Sequence, residues 1–333
     1  MRPPGFLAWY EKMGKYGKKK IYLGIDIGGT AVKLGLVDAD GHVLKKTAQS
    51  VCFDHYRTPV IETVKEAAVR MLTRDRAFFE KYGRPVGVGV SAAGQIDVRE
   101  GIVIGSCGNL PDWTGTPIKR ILSDTLALPV TVANDANCMC LGEQWVGAAA
   151  GISDVIGITL GTGVGGGIIT GGRLLEGSRG IGGEIGHLMT HAGSGVLCSC
   201  GQRGCYERYA SSSALVRRAY PANKEWKNGL AFFEAVRCGE PQAEEILQDW
   251  INEIAAGLIG LVHIFNPAMI IVGGGVSAQE DLLIRPLERA VKQGVMPAFA
   301  EGLTVKAAVL KNDAGMIGAI CHFIRQTGEE FES

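Results

Sequence analysis

The sequence predicts two α/β domains, each built on a mixed β-sheet. Two segments, beginning at residues 19 and 154, share one plan: a buried apolar run, a glycine turn, a second extended run and another turn. Helical periodicity and short apolar runs of strand length occur in the rest of the chain. The chain has 333 residues, 46% of them hydrophobic, which is enough for about two domains with large cores.

The first segment, KKIYLGIDIGGTAVKLGLVDADGHVLKKTAQS, predicts three strands joined by turns, with the first turn at Gly28 and Gly29. No helix follows this turn, so it differs from the GxGxxG loop of dinucleotide-binding proteins, which opens a helix. The second segment, DVIGITLGTGVGGGIITGGRLLEG, turns at residues 161–163 and again at 171–172. The chain therefore has two related halves.

The other elements follow in order. Residues 58–83 show helical spacing and precede a strand in PVGVGV, and LPVTVAND and AMIIVGGG predict two further strands. The segment AEEILQDWINEIAAGLIGLVHIF predicts a long helix that ends before Pro267. Its apolar stripe consists of Leu247, Trp250, Ile251, Ile254, Leu258, Leu261, Val262 and Phe265.

Composition excludes several functions. Acidic and basic residues number 34 each, so no net field attracts nucleic acid or an anionic membrane, and small molecules are the expected partners.

The most apolar stretch is broken at Asn266-Pro267 and predicts a buried helix and strand instead of a membrane span. Residues 1–20 lack signal-peptide features and predict a basic, solvated tail. Nine cysteines, an odd number in a long chain, favour a cytoplasmic location.

The glycine turns predict a nucleotide cleft between the halves, because backbone amides without side chains can approach phosphate oxygens closely. No GxxxxGK[ST] motif is present, which excludes a P-loop lysine. Asp26 is the candidate to hold Mg²⁺ together with phosphate oxygens. The alternative is that Gly28 and Gly29 only form a tight turn and that Asp26 is a solvated strand end.

The stretch CSCGQRGC places three thiols within eight residues. A tetrahedral zinc ion needs a fourth ligand, and both His187 and His191 qualify by position. Such a site, with all four ligands from protein, is structural rather than catalytic. The alternative is a set of reduced thiols without metal.

The motifs DIGGT, NDAN, LGTGVGGG, GEIGH and CSCGQRGC occur in the order and spacing of the ROK family of sugar kinases and repressors, which the chain resembles from about Ile21 onward. The resemblance implies an actin-like ATPase fold of two RNase H-like domains with a cleft between them. The implied division is an N-terminal tail at 1–20, a smaller domain at 21–138 with 312–333, and a larger domain at 139–311 with the zinc loop.

The resemblance also implies roles for individual residues, with Asp135 as the catalytic base. Asn134 and Asp135 would otherwise be a helix cap. The implied sugar ligands are Asn109, Asn134, Asp135, Glu184, His187 and Glu207. The implied ATP-binding residues are Asp26, Gly28, Gly29, Thr30, Lys33, Gly161, Thr162, Gly163, Gly273 and Gly274. The implied zinc ligands are His187, Cys198, Cys200 and Cys205.

The expected reaction is transfer of the γ-phosphoryl group of ATP, with Mg²⁺, to the 6-hydroxyl of glucose. A kinase of N-acetylmannosamine, or of another hexose or glucoside, is the alternative. Ala93-Gly94 replaces the Pro-Gly of many family members beside the sugar, which leaves the substrate open. About twenty residues precede the first strand, too few for the winged helix of a repressor. The resemblance favours a homodimer.

Overall fold

The computed structural model describes residues 19–105, 110–193 and 195–328. Its strands are β1 (Ile21–Ile27), β2 (Ala31–Asp38), β3 (Val43–Ser50), β4 (Val88–Ala92), β5 (Gln95–Asp97), β6 (Ile102–Gly105), β7 (Val130–Asn134), β8 (Val155–Leu160), β9 (Val164–Thr170), β10 (Arg173–Leu174), β11 (Met269–Gly273) and β12 (Thr304–Ala307). Its helices are α1 (Val60–Thr73), α2 (Arg76–Tyr82), α3 (Ile118–Leu126), α4 (Asp135–Val146), α5 (Glu207–Ala210), α6 (Ser212–Ala219), α7 (Gly229–Arg237), α8 (Pro241–Phe265), α9 (Arg285–Gly294), α10 (Pro297–Ala300) and α11 (Ala314–Thr327).

Two five-stranded sheets share one topology in the described residues. The first has the order β3-β2-β1-β4-β7 and the second the order β10-β9-β8-β11-β12. In each, the first three strands along the chain pair antiparallel and the last two add in parallel. The two halves are therefore structural repeats, and the predicted mixed sheets are confirmed.

Helices cover both faces of each sheet. On the outer face of the first sheet lie α1 and α3, while the long helix α8 covers the outer face of the second. The predicted stripe of α8 is buried except at its last member, Phe265, which is partly buried against the same core. The helix ends at Phe265, and Asn266 then adopts a left-handed conformation before Pro267. No helix in the described ranges combines the length and apolar character needed to span a membrane.

Helices α4 and α11 lie between the two sheets and pack against each other. Helix α11 packs on β1, β4 and β7, and α4 packs on β8 and β9. Glycines permit the close approach: a side chain on Gly142 of α4 would place its Cβ 2.7 Å from the carbonyl oxygen of Ala314. A Cβ on Gly318 of α11 would overlap the carbonyl oxygen of Cys138. The two central helices thus join the sheets at backbone-to-backbone distance.

Gly318→Ala is expected to lower the free energy of unfolding by about 1–3 kcal/mol, because the added methyl group overpacks a backbone contact that cannot shift alone. Alanine ordinarily stabilises a helix interior relative to glycine. Gly260→Ala is the matched control, since Gly260 lies within α8 with nothing within 4 Å of an added Cβ. In urea unfolding, the free energy of unfolding should fall for Gly318→Ala and rise for Gly260→Ala. A higher free energy of unfolding for Gly318→Ala would contradict the close crossing of the two helices.

Candidate active site

Three parallel strands of the first sheet end side by side. The register places Asp26 of β1 opposite Ser91 of β4, and Ser91 opposite Ala133 of β7. Asn134 and Asp135 follow directly at the end of β7. The two carboxylates, Asp26 and Asp135, consequently lie along one edge of the sheet.

Asp26 is held from several sides. The Ser91 hydroxyl donates to its Oδ1 at 2.7 Å, and the Lys33 ammonium lies 3.4 Å from its Oδ2. A Cβ on Gly315, in the first turn of α11, would lie 2.5 Å from the same Oδ1, so the helix N-terminus approaches the carboxylate closely. Partial positive charge at a helix N-terminus stabilises an anion. These contacts fix the orientation of the Asp26 carboxylate, which is therefore not a freely solvated strand end.

Asn134 caps α4. Its Oδ1 accepts hydrogen bonds from the amides of Ala136 and Asn137, at 2.9 and 3.2 Å. Its Nδ2 donates to the carbonyl oxygen of Gly94 at 2.9 Å. The helix-cap interpretation therefore holds for Asn134, which also ties the Ala93-Gly94 loop to the end of β7.

Asp135 begins α4 at the cleft. The residue is exposed at the surface of the cleft, but surrounding protein atoms crowd its carboxyl group. Desolvation by these atoms, followed by the negative charge of Asp26, raises the pKa of Asp135 from 3.8 to about 6, against a hydrogen bond from the Ala136 amide. The charge of Glu184 adds to the rise. A carboxyl group with this pKa is ionised at neutral pH and can accept a proton.

The glycine turns of the second sheet share one edge. Strands β8 and β11 are parallel, with Thr159 opposite Gly273. The turn at residues 161–163 follows β8, and β11 ends at Gly273, directly before Gly274 and Gly275. Gly274 has a φ of +94°, and a side chain there would strike the carbonyl group of Leu160. Glycine is thus required where the two turns meet.

Helix α4 connects Asp135 to this second edge. The next residue, Ala136, packs on Gly165 of β9, where an added Cβ would lie 2.7 Å from the Ala136 Cβ. Gly165 follows the 161–163 turn by two residues. Asp135 therefore lies between the strand ends of the first sheet and the glycine turn of the second.

Three predicted sugar ligands gather beside that turn. Glu207 at the start of α5 lies against Gly163, where an added Cβ would contact its carboxylate. The Nε2 atom of His187 is 4.0 Å from Oε2 of Glu184. Burial raises the pKa of Glu184, while His187 lowers it and Glu207 raises it again. The predicted ligand Asn109 lies outside the described residues.

The predicted zinc ligands also come together. The donor atoms of His187, Cys198, Cys200 and Cys205 all lie within 4.8 Å of one another. The Sγ atoms of Cys200 and Cys205 are 3.6 Å apart, and Cys198 Sγ is 3.7 Å from His187 Nδ1. Two thiolates bound to one tetrahedral zinc ion at about 2.3 Å would lie roughly 3.8 Å apart. The four side chains fit a zinc ion, and these cysteines form no disulfide.

His191, the other candidate ligand, lies outside this cluster. Its ring stacks on Tyr209 with centroids 3.6 Å apart, and its Nε2 atom is 3.5 Å from a Glu253 carboxylate oxygen. Of the two histidines, only His187 is in position to complete the set.

A cavity of about 570 Å³ opens beside the 161–163 turn and was not predicted. Its lining includes Gly161 and Thr162 of the turn, the N-terminal serines of α6, and Arg217, Tyr220 and Lys227. The Ser213 amide donates to the carbonyl oxygen of Gly161 at 3.3 Å, which fixes α6 against the turn. The sequence signal for this cavity is the serine run after the thiol cluster and α5, in which Ser211 caps α6.

The repeated sheets, the glycine turns and the carboxylates at the strand ends define a nucleotide-binding fold with a polar cleft. The sequence model of the ROK family matches residues 22–326, and the chain belongs to the ROK family.

Glucokinases are among its relatives. The glucokinase of Thermotoga maritima is 35% identical over 311 residues, which cover 89% of this chain and 95% of that protein. The glucokinase of Streptomyces coelicolor is 35% identical over 315 residues, which cover 89% of this chain and 95% of that protein. The structure of a ROK family glucokinase from Streptomyces griseus in complex with glucose and AMPPNP has a TM-score of 0.75 and 34% identity, covering 92% of this chain and 99% of that one. The predicted actin-like ATPase fold is confirmed.

Proposed function

We propose that this protein is an ATP-dependent hexose kinase that transfers the γ-phosphoryl group of ATP to the 6-hydroxyl of glucose. The observation that carries the proposal is the position of Asp135, which is close enough to both Asp26 and Glu184 for their charges to raise its pKa. Relatives named glucokinase at 35% identity, and a similar structure that holds glucose and AMPPNP, favour glucose over other hexoses.

The sugar site of this proposal consists of Asn134, Glu184, His187 and Glu207, with Asn109. Carboxylates, an amide and an imidazole can accept and donate directional hydrogen bonds to several hydroxyl groups without a charge on the ligand. Their convergence next to Asp135 would hold a hexose with one hydroxyl at the base.

The nucleotide phosphates would lie between the two glycine turns, on Gly28, Gly29, Thr30 and Lys33 and on residues 161–163. Bound Mg²⁺ neutralises developing phosphate charge, and Asp26 would hold it directly or through water, oriented by Ser91. The cavity beside Thr162 has the volume of a small-molecule site and would take the base and ribose. Gly273 and Gly274 would contribute from the adjoining turn, which meets Leu160.

In the proposed reaction, Asp135 accepts the proton of the sugar hydroxyl as that oxygen forms a bond to the γ-phosphorus. The bond from the γ-phosphorus to the bridging oxygen breaks, and ADP leaves. Alignment of the hydroxyl by the sugar site and exclusion of water by closure of the cleft would supply the rest of the rate enhancement.

The smaller domain would comprise residues 21–138 with 312–333, and the larger would comprise 139–311.

The zinc site of the proposal is structural. Zinc on Nδ1 of His187 leaves Nε2, which faces Glu184, free to bond a sugar hydroxyl. Bound zinc would therefore fix the loop that carries the sugar ligands. A homodimer and a cytoplasmic location stay predictions.

A coupled assay of ADP release tests the function. With ATP and Mg²⁺, glucose should give a higher kcat/KM than N-acetylmannosamine or a β-glucoside. Asp135→Asn should reduce kcat by about 10²- to 10⁴-fold, because the hydroxyl proton loses its acceptor. Asp124→Asn on the exposed side of α3 makes the same charge change and should leave kcat unaltered. Near-normal turnover by a folded Asp135→Asn protein would refute the assignment of the base.

The pH dependence follows from the raised pKa of Asp135, about 6 against an ordinary 3.8. The base is ionised above this pKa and is lost by protonation below it, so kcat/KM for glucose should fall tenfold per pH unit below about 6. At pH 7.5 the ionised carboxylate opposes folding, so Asp135→Asn should unfold at the same or a higher temperature. An acidic limb near pH 4 would contradict the raised pKa.

Zinc content is tested by elemental analysis of the purified protein. One equivalent per chain is expected, and Cys200→Ser should lose it and unfold at a lower temperature, because the bound metal stabilises the folded loop. Cys238→Ser is the control, since Cys238 is an exposed free thiol at the end of α7. Full zinc content in Cys200→Ser would eliminate that cysteine as a ligand.

A further inference from the structure

A second cavity, of about 300 Å³, lies between strand β3 and helix α1. Its main lining residues are Lys45, Thr47, Gln49, Arg70, Met71 and Arg74. Strand β3 is one edge of the first sheet and β7, which leads to Asp135, is the other. Four strand spacings separate them, roughly 19 Å, so this cavity is distinct from the cleft.

Chain geometry explains why polar side chains converge there. Every second residue of β3 points to the same face of the sheet, and the face toward α1 carries Lys45, Thr47 and Gln49. Arg70 in the last turn of α1 and Arg74 at its C-terminal cap are four residues apart and border the same space. The buried side chains of Ala67 and Met71 form an apolar floor beneath them.

The charges around this cavity are unbalanced. Lys45 Nζ pairs with Asp75 at 2.6 Å, which offsets that one cation. Within the described residues, the guanidinium groups of Arg70 and Arg74 have neither an ion-pair nor a hydrogen-bond partner. Glu66, one turn before Arg70, forms no ion pair with it in that part of the chain. Two unpaired arginines therefore face a space of ligand size.

We propose that this cavity is a second ligand site, which binds a small phosphate-bearing anion. Arginine presents paired N–H donors that match phosphate oxygens, and two arginines one turn apart can both contact one phosphate group. Thr47 and Gln49 supply neutral donors and acceptors opposite them for the rest of the ligand. The volume lies at the lower end of small-molecule sites, which suits a sugar phosphate or a short phosphate chain.

Position along the strand links this site to the cleft. Gln49 pairs with Val32, and the two residues after it, Ser50 and Val51, both hydrogen-bond the carbonyl oxygen of Thr30. Thr30 belongs to the turn that the proposed function places on the ATP phosphates. The binding proposal itself does not depend on the kinase reaction.

Titration calorimetry on the full chain tests the proposal, with glucose and AMPPNP present in excess to occupy the cleft. Glucose 6-phosphate and tripolyphosphate are titrated separately into the unmodified protein, Arg70→Gln and Arg120→Gln. Arg120 lies on the exposed side of α3, outside the cavity, so its variant carries the same charge change. Glucose-dependent ADP release by each variant reports independently on folding and on the cleft.

Saturable binding with a Kd below about 1 mM is expected for at least one of the two ligands, weakening with added salt. Arg70→Gln should weaken it at least about tenfold, whereas Arg120→Gln should not. Binding of glucose 6-phosphate alone would identify a sugar phosphate as the ligand, and binding of tripolyphosphate alone a phosphate chain. Absence of binding by both, or equal binding by Arg70→Gln, would overturn the proposal.

Discussion

The crossing of α4 and α11 at backbone contact is the constraint on which the site depends. Each helix begins at the cleft: α4 starts with Asp135, and the first turn of α11 contains Gly315 beside Asp26. The crossing therefore sets the distance between the two carboxylates. Gly142 and Gly318 fix that crossing because any side chain there would meet a carbonyl oxygen of the other helix. A larger residue would move an entire sheet edge instead of one side chain.

The same arrangement separates the chemistry of two similar side chains. Asp26 is in contact with the Lys33 ammonium and the Ser91 hydroxyl, and a helix N-terminus lies beside it. Asp135 has amide donors but no cation among the interactions that shift its pKa, and the charge of Asp26 opposes its ionisation. Surroundings that differ in this way would suit the two tasks proposed for these carboxyl groups, one holding a cation and the other accepting a proton.

Local sequence predicted the parts of the fold that depend on local periodicity. The apolar stripe from Leu247 to Val262 and the paired hairpin segments could be predicted, because burial on one face repeats apolar residues at a regular spacing. The contact between Asp26 and Ser91 could not be predicted. These residues are 65 positions apart on two parallel strands, and no local sequence pattern encodes the register of such strands. Motif order supplied Asp135 and the thiol cluster, whereas Arg217 and Lys227 lie on separate segments without a motif. Residue spacing alone left His187 and His191 open as the fourth ligand, and the resemblance selected His187. The structure adds the stacking of His191 on Tyr209, which no local pattern indicates.

Tyr206 explains how the thiol cluster and the cleft act as one unit. It stands between Cys205 and Glu207, fully buried, and its hydroxyl donates to the Ile254 carbonyl oxygen at 2.6 Å. Its ring packs where Gly257 of α8 has no side chain. Because a thiol of the cluster, a buried anchor and a cleft carboxylate are consecutive residues, displacement of the loop at any of them moves the other two. The position of Glu207 against Gly163 therefore depends both on the closure of the thiol cluster and on the long helix behind it.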